Sequence, residues 1–360
     1  MDVIEEIRAL AEEYEACGGT ERSDGSKSRL FDPPATIEQV REFEKEMKVK
    51  LPEVFVRYLT ELGNGGIGAD YGIYSLDKMR ERNPNAAARA ELPVMIGGKL
   101  PEEAWKTFAR EAEAADDEED FDKIEELEQR LIAGGIFIST PGCTMYTLLM
   151  CRGEAAGDIC TIDFDYLTWY DKPIEGGYSF EDWMIEGMHD HIARRKYGID
   201  IEMVTRYNQR GLGMACEKLT DSLIDLRIAQ LTEEGDTDAV NLFHELRDFY
   251  ERAFGNGSFR MWIAVHRGEV IGTVGLTMLE KPQYSANPNG KIGLISSMYV
   301  KPEFRRRGMA KCMLGYVMRW AKRNGMGIVQ AMASEQGVKL YESCGFRHSE
   351  RFLQYDLKNM

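Results

Sequence analysis

Apolar and polar positions in the C-terminal third of the chain follow first the pattern of a buried strand and then that of a helix. From Ile292 to Val300 nearly every residue is apolar or small, which is typical of a strand buried on both faces. Lys301-Pro302 ends this run. Six apolar positions then recur at helical spacing on one face: Ala310, Met313, Leu314, Val317, Met318 and Ala321. The pattern predicts a strand, a short turn and an amphipathic helix in succession.

The turn between this strand and helix is basic and contains a glycine, in the run Arg305-Arg306-Arg307-Gly308-Met309-Ala310. A helix N-terminus has about four unpaired backbone N–H groups and a partial positive charge. Gly308 would let an anion approach the backbone, and the arginines add charge. We therefore predict a phosphate site here. The alternative interpretation is a solvated start of a helix.

The rest of the C-terminal half reads as further strands and helices. Leu223–Ala229 alternates as a strand would, and a long helix capped near Asp236 follows, with Val240, Phe243, Leu246, Tyr250 and Ala253 directed inward. Two alternating runs that meet at Arg267-Gly268 predict a hairpin. The predicted segments are the hairpin strands Arg260–Val265 and Val270–Leu279, a strand at Gly327–Ala333 and a helix within Ser334–Phe346.

The N-terminal half begins with helical patterns and continues with short strands. Residues 1–16 form an amphipathic pattern, and Thr36 with Gln39 fits a capping box at the start of the next helix. The other predicted elements are a helix after Leu51-Pro52, strands at Phe137–Ser139, Met145–Cys151 and Ile159–Phe164, and a helix from Ser179. The acidic insertion Pro101–Leu131 is interpreted as a solvated helix in place of a loop; a specific partner site is the alternative.

Length and composition favour two domains. At 360 residues and 43% hydrophobic content, the chain can bury two cores. We place an N-terminal domain at 1–197 with its core at about 33–192, a linker at 198–222 and a second domain at 223–360. The predicted fold class is α/β (α+β) in two domains.

Charge and cysteine usage narrow the classes of partner. A net charge of −16 disfavours binding to nucleic acid and to anionic membranes. No apolar run reaches the roughly 20 residues of a membrane-spanning helix, and the acidic N-terminus is unlike a signal peptide. Seven cysteines without a C-x-x-C pair favour reduced thiols in the cytoplasm and no zinc site. We interpret His189 and His191 as surface residues and expect no metal.

The C-terminal motifs resemble those of one enzyme family. Arg305-x-x-Gly308-x-Ala310 fits the signature Q/R-x-x-G-x-G/A of the GNAT acetyltransferases, and Leu340-Tyr341-Glu342 followed by Gly-Phe resembles the family's closing helix. The resemblance runs from about Leu223 to the C-terminus. It implies a mixed, mostly antiparallel sheet with flanking helices, ordered strand, helix, three strands, helix, strand, helix, strand. It also implies acetyl-CoA as cosubstrate and an amine on a small molecule or peptide as acceptor.

The resemblance also implies roles for individual residues. The pantetheine arm would lie along backbone groups of Met298, Tyr299 and Val300. The pyrophosphate would lie on the segment formed by Arg305, Arg306, Arg307, Gly308, Met309, Ala310 and Lys311. Ser334 stands where many members carry an asparagine that contacts the cofactor. Tyr341 matches the tyrosine that protonates or hydrogen-bonds the CoA sulfur; the alternative for Tyr341 is a core aromatic beside Phe346.

The general base of such a reaction has no residue in its usual place. No Asp or Glu lies between Ile292 and Val300, where many members carry one. Glu280, His266 or Tyr250 could act through water, although each also fits a surface or core position.

The N-terminal half resembles the SUKH superfamily from about Pro33 to Ile192. The paired helices joined at Leu51-Pro52 and the stop at Asn64-Gly65-Gly66 carry this resemblance. The superfamily includes yeast cell-wall regulators and bacterial immunity proteins against secreted toxins, which implies a protein partner for this half. We therefore expect a cytoplasmic N-acetyltransferase fused to a protein-interaction module. The alternatives are a CoA-binding protein without turnover and a toxin-immunity or regulatory protein. The sequence names neither the acceptor nor an oligomeric state.

Overall fold

A computed structural model of the chain describes residues 2–21, 28–97, 100–174, 177–204 and 216–348. The chain forms two compact units, residues 1–195 and 196–360. Two sequence predictions fall partly or wholly outside the described residues: the centre of the linker, at 205–215, and the last strand of the C-terminal half.

The N-terminal unit combines helices with a four-stranded antiparallel sheet in the order β1-β2-β3-β4. The described helices are α1 (Val3–Ala16), α2 (Ile37–Met47), α3 (Glu53–Arg57), α4 (Leu76–Arg82), α5 (Ala86–Arg89), α6 (Glu102–Asp117), α7 (Phe121–Leu131) and α8 (Phe180–Tyr197). The strands are β1 (Gly135–Gly142), β2 (Met145–Met150), β3 (Asp158–Asp163) and β4 (Tyr178–Ser179). The capping box is confirmed, since the Thr36 hydroxyl accepts from Gln39 N–H and the Gln39 side chain from Thr36 N–H.

The insertion at 101–131 is not the solvated helix that the sequence interpretation predicts. It forms α6 and α7, and one face of this pair is buried, with Trp105 and Phe108 fully enclosed. Alternate residues of the strands point to different cores: Ile136 and Leu149 pack with α1–α3, while Phe137 and Leu148 pack with the insertion. The insertion is therefore a second layer over the sheet, because its apolar residues recur at helical spacing among the charges.

The C-terminal unit is built on a five-stranded sheet in the order β5-β6-β7-β8-β9. The strands are β5 (Asp200–Val204), β6 (Phe259–His266), β7 (Glu269–Glu280), β8 (Lys291–Val300) and β9 (Ile328–Ala331). The helices are α9 (Cys216–Glu233), α10 (Phe243–Gly255), α11 (Met309–Arg323) and α12 (Val338–Ser343). All described pairings are antiparallel except β8 with β9, so the predicted mixed, mostly antiparallel sheet is confirmed.

Three predictions at the start of this unit are wrong. Residues 223–229 lie in α9, not in a strand, because Leu219, Leu223 and Leu226 are buried at helical spacing while only the shorter window alternates. The first strand is β5, which pairs with β6 inside the segment predicted as a linker at 198–222. Its half-buried residues carry the weak pattern of an edge strand. Val240, predicted to point inward, is exposed in a short 3₁₀ segment before α10.

The flanking helices bury the two faces of this sheet. Tyr250 and Phe254 of α10 pack with Leu223 of α9 and with Met261 of β6. On the other face α11 contacts β6, β7 and β8, and Trp320 lies 5.6 Å from Trp262 between ring centroids. The predicted hairpin is confirmed, with Arg267 and Gly268 both at positive φ between β6 and β7.

No described helix is long and apolar enough to cross a membrane.

Candidate functional site

The centre of the C-terminal sheet opens where β8 separates from β9. Their parallel pairing covers only Ile292–Ile295 against Ile328–Ala331. Within the described chain, the following residues of β8, from Ser296 to Val300, have no strand on that side. Backbone groups of Met298 and Val300 therefore lie along an open edge, which is the place where an extended ligand can add hydrogen bonds.

A bulge in β8 coincides with this opening. The register against β7 runs from Thr273↔Tyr299 to Gly275↔Ser296, so β8 holds one extra residue, and Ser297 has a φ of 50°. The Thr273 hydroxyl donates to the Ser297 carbonyl at 2.8 Å, which fixes the bulge from the β7 side. A bulge re-aims the strand locally, and here it does so at the level of the open edge.

The turn after β8 ends in an uncapped helix start. Gly308 is the N-cap of α11 with a φ of 88°, and no side chain caps the helix. Cys312 N–H donates to the Gly308 carbonyl at 3.0 Å, so the N–H groups of Met309, Ala310 and Lys311 precede the first helical bond. Arg306 and Arg307 are exposed beside them. Unpaired donors, the helix dipole and nearby cations together form a site for an anion.

Arg305 points away from that anion site. Its Nε donates to the Val300 carbonyl at 2.6 Å, and its Nη2 lies 3.0 and 2.8 Å from the two carboxylate oxygens of Glu233. Its guanidinium carbon is 5.0 Å from the ring centroid of Tyr299. The Tyr299 hydroxyl donates to the same carboxylate at 2.6 Å. Arg305 therefore fixes the turn to β8 and α9, and its charge is already neutralised.

Glu233, at the end of α9, is the residue that sequence reasoning missed. Burial acts to raise the pKa of Glu233, but hydrogen bonds from Tyr299 and Arg305 outweigh it and hold the pKa below its usual value. Burial and the adjacent carboxylate raise the pKa of Tyr299 to about 12. A carboxylate with a lowered pKa is a weak base, so Glu233 has a positioning role. No local motif indicates it, since its partners lie far along the chain.

The three candidate bases named from the sequence lie in dissimilar places. Glu280 is exposed at the end of β7, and His266 is bonded through Nδ1 to the Gly198 carbonyl at 2.7 Å. Tyr250 is buried; burial raises its pKa, although a hydrogen bond with Ser297 acts in the opposite direction. A tyrosine with a raised pKa stays protonated at neutral pH, so Tyr250 is not a base there.

Tyr341 and Ser334 lie together around Gly337. A Cβ built on Gly337 would be 3.4 Å from Ser334 Oγ and 3.5 Å from Tyr341 Cε2. Ser334 is exposed, and its hydroxyl accepts from Gly337 N–H at 3.3 Å, which supports the turn before α12. Tyr341 is 7% exposed, and its ring is 5.3 Å from that of Phe346. Burial raises the pKa of Tyr341 to about 12, with Glu234 and Cys344 adding to the effect.

The end of α9 connects these two parts of the site. Glu233 binds Arg305 and Tyr299 at β8, while the charge of the next residue, Glu234, acts on Tyr341 of α12. Among the described residues no three His, Cys, Asp or Glu side chains converge as they would around a metal ion.

Comparisons with known families agree with both halves. Residues 197–346 match the acetyltransferase (GNAT) family, and residues 34–186 match the SMI1/KNR4 family (SUKH-1). Both resemblances predicted from the sequence are confirmed. A search of curated proteins found no match.

Solved structures that are similar to this chain include several acetyltransferases. A predicted acetyltransferase with acetyl-CoA from Clostridium acetobutylicum is 23% identical over 45% of this chain and 98% of its own, with a TM-score of 0.39. A GCN5-related N-acetyltransferase from Ralstonia eutropha JMP134 is 20% identical over 44% and 99%, with a TM-score of 0.38. The aminoglycoside N-acetyltransferase AAC(6')-Iy in complex with CoA is 19% identical over 44% and 93%, with a TM-score of 0.33. Similarity at this level adds nothing to the family match.

Proposed function

We propose that this chain, whose residues 197–346 form a GNAT acetyltransferase domain, transfers the acetyl group of acetyl-CoA to an amine by direct attack. The observation that carries the proposal is the placement of two features in succession. The open edge of β8 from Ser296 to Val300 leads directly into the uncapped N-terminus of α11 at Gly308. An extended arm and a pyrophosphate need these two features in this order.

The cofactor-binding roles follow from this placement. The backbone of Met298, Tyr299 and Val300 holds the pantetheine arm, while the Tyr299 side chain is already bonded to Glu233. The N–H groups of the first turn of α11 bind the pyrophosphate, and exposed Arg306 and Arg307 add charge. Arg305 acts by positioning the turn. Ser334 supports the turn before α12 and contributes to the cofactor site only in a secondary way.

Tyr341 stabilises the sulfur of CoA as it departs. As the amine nitrogen bonds to the acetyl carbon, the carbon–sulfur bond breaks and charge develops on sulfur. The phenol is neutral at pH 7, as an ordinary tyrosine is, and burial raises its pKa further to about 12. Full proton transfer to a thiolate whose pKa is ~8.5 would be uphill, so Tyr341 donates a hydrogen bond to the sulfur. The thiolate can then leave as such or take its proton from water.

Strand β8 offers no carboxylate that could deprotonate the acceptor amine. The amine therefore has to enter the site already in its neutral form. Residues 292–300 contain no Asp or Glu, and the nearby Glu233 is held by Arg305. The amine proton therefore leaves to water. This arrangement also supports the alternative of a CoA-binding protein without turnover, and one assay separates the two.

The experiment uses the full chain in two measurements. Calorimetry with acetyl-CoA tests the binding site, and release of free CoA thiol with a panel of primary amines tests transfer. We expect binding, and thiol release that depends on an amine. Binding without release on every amine would favour the non-catalytic alternative, and an absence of binding would refute the site.

We further propose that the N-terminal unit is a protein-interaction module. Tyr166 and Trp169 stack with ring centroids 4.0 Å apart and are 43% and 68% exposed. Exposed aromatics of this kind often anchor interfaces. Once a partner has been isolated, Trp169→Ala should weaken the complex at least tenfold, with Phe121→Ala as a control at another exposed aromatic. Equal binding by both variants would place the interface elsewhere. The six cysteines whose side chains the structure describes are unpaired, which supports action in the cytoplasm. A periplasmic or secreted location found by cell fractionation would contradict it.

A further inference from the structure

The N-terminal unit contains a cavity that the acetyltransferase reaction does not use. Its volume is about 390 Å³, within the range of small-molecule sites. Tyr14, Thr20, Gly68, Asp70, Tyr71 and His191 line it. All six belong to residues 1–195, so the cavity lies within one compact unit.

A tight turn fixes Asp70, which lines this cavity. Asp70 has a φ of 53°, which non-glycine residues seldom adopt, and Gly72 follows with a φ of 100°. The fully buried Thr147 of β2 donates its hydroxyl to Asp70 Oδ2, and His191 Nε2 lies 3.1 Å from the Asp70 carbonyl oxygen. The backbone strain and the two contacts fix this side chain in place, as is common at binding sites.

Thr20 provides a second and independent polar group. It is 3% exposed, and its hydroxyl has no hydrogen-bond partner among the residues that the structure describes. A buried hydroxyl without a partner destabilises the fold, so native proteins rarely keep one without a ligand or water to satisfy it. Thr20 also lines the cavity, so a ligand that binds there is the candidate for the missing partner.

The charges in the cavity favour a cation. Asp70 is half-buried, and no lysine or arginine of the described chain forms an ion pair with it. Burial and then Arg194 lower the pKa of His191, so its imidazole is neutral at pH 7. Arg29 also lines the mouth, but it is exposed, and solvent screens its charge. Among the described lining residues, Asp70 is therefore the half-buried acidic group with which a cation can pair, although burial raises its pKa.

Aromatic rings complete the lining. The Tyr14 ring lies 5.8 Å from that of His191, and it occupies the space where a Cβ on Gly19 would stand. Tyr71 is 80% exposed, and its ring lies against Gly142 at the mouth. Tyrosine faces attract organic cations and pack on their alkyl stems.

We propose that this cavity binds an alkylammonium or guanidinium group, with Asp70 as its counter-ion and Thr20 as a hydrogen-bond partner. The two natural sources of such a group are a free amine and a lysine or arginine side chain of a partner protein. The sequence pattern indicates a surface position for His191. The structure instead places it half-buried behind Asp70, where it holds the turn.

Calorimetric titration of the full chain tests the proposal with three probes. These are n-butylamine, the blocked tripeptide acetyl-Gly-Lys-Gly-amide and the same peptide with norleucine in place of lysine. We expect at least one of the two cationic probes to bind and the norleucine peptide to bind at least tenfold more weakly. Binding of butylamine indicates a free amine as ligand, and binding of the lysine peptide alone indicates a protein side chain. Equal binding of the lysine and norleucine peptides, or no binding of either cation, would overturn the proposal.

Two substitutions distinguish cation binding in the cavity from a general effect of the protein's negative charge. Asp70→Asn keeps the shape and an acceptor for Thr147, and it should weaken cation binding at least tenfold. Glu12→Gln removes the same charge from an exposed position outside the cavity and should leave binding unchanged. Unchanged binding in Asp70→Asn would exclude the counter-ion role.

Thr20→Val adds a readout that packing alone would not produce. Because the hydroxyl has no described partner, its removal should leave the thermal midpoint unchanged or raise it. Cation binding should nevertheless fall about threefold or more. A lowered midpoint with unchanged binding would mean that the hydroxyl serves the fold, and this part of the proposal would be wrong.

Discussion

Glu233 accepts hydrogen bonds from both Arg305 and Tyr299, and the Arg305 Nη2 lies 2.8 and 3.0 Å from its two oxygens. The first arginine of the phosphate turn is thus bound to a helix that precedes it by 72 residues. Arg305 therefore holds the turn in shape, and its charge is paired with Glu233 rather than with a ligand. The other two arginines remain exposed beside Gly308.

Glu233→Gln should destabilise the C-terminal unit by about 1 kcal/mol, because it removes one partly exposed ion pair and weakens the Tyr299 hydrogen bond. The lowered pKa of Glu233 sets the pH range of this effect. The contribution is complete above the ordinary pKa of a glutamate, ~4.3, and is lost as pH falls through the lowered value. Urea unfolding of both proteins between pH 7 and pH 3 measures it. A difference that stayed constant down to pH 3 would contradict the ionic origin.

Gly308→Val should reduce acetyl-CoA affinity at least tenfold, or about 1.4 kcal/mol. Its φ of 88° disfavours any side chain, and a Cβ there would lie 2.7 Å from the Tyr197 hydroxyl, at the start of α11. Gly268→Val is the matched control, since it has a φ of 81° in a hairpin turn with nothing within 4 Å. Calorimetry should show lost affinity only in the first variant. Similar affinities in both would remove the phosphate site.

Tyr341→Phe should lower turnover by roughly 10²-fold while acetyl-CoA affinity stays nearly constant. The ring keeps its packing on Phe346, and only the proposed hydrogen bond to sulfur is lost. Tyr316→Phe, at another buried tyrosine of the same unit, should retain activity. If the Tyr341 variant turned over at the wild-type rate, the residue would be a core aromatic only.

Turnover should rise with pH according to the pKa of the acceptor amine rather than of a protein group. The reason is that residues 292–300 supply no carboxylate and Glu233 is held by Arg305. The pH profiles of kcat/KM for two amines whose pKa values differ by about two units should be displaced by a similar amount. Identical profiles for the two amines would reveal an enzyme base.

A fragment of residues 196–360 should fold more stably than one of residues 223–360. The shorter fragment lacks β5, so β6 loses its antiparallel partner over five residue pairs, and it also lacks Leu219 of the buried cluster. Circular dichroism melting of both fragments tests the prediction. Equal midpoints would mean that β5 adds nothing to the sheet.

Much of the C-terminal site could be predicted from sequence because its parts are local. The run from Ile292 to Ala310 fixes strand, turn and helix within a few residues, and the chain follows that pattern. The pairing of Glu233 with Arg305 could not be found, since it depends on how α9 packs against β8. The strand at Asp200–Val204 was missed because a half-buried edge strand has little alternation, and Leu223–Ala229 was wrong because the window was too short to show its helical period.

In the N-terminal unit, the many acidic residues of 101–131 led to the prediction of a solvated helix where the structure has a buried core. Trp105 and Phe108 are buried while the charges around them remain in solvent, so the average composition gave the wrong environment. Spacing, not composition, carried the information.

Because the β8–β9 pairing ends early, the protein without bound acetyl-CoA is exposed to self-association. From Ser296 to Val300 the described strand has no neighbouring strand on this edge, and only the Val300 carbonyl is taken, by Arg305, so the edge is a template onto which the strand of another molecule can add. If acetyl-CoA binds along this edge as proposed, it would also protect the protein against self-association. Light scattering at equal protein concentration should show slower aggregation with acetyl-CoA than without it, and Gly308→Val should lose much of that protection.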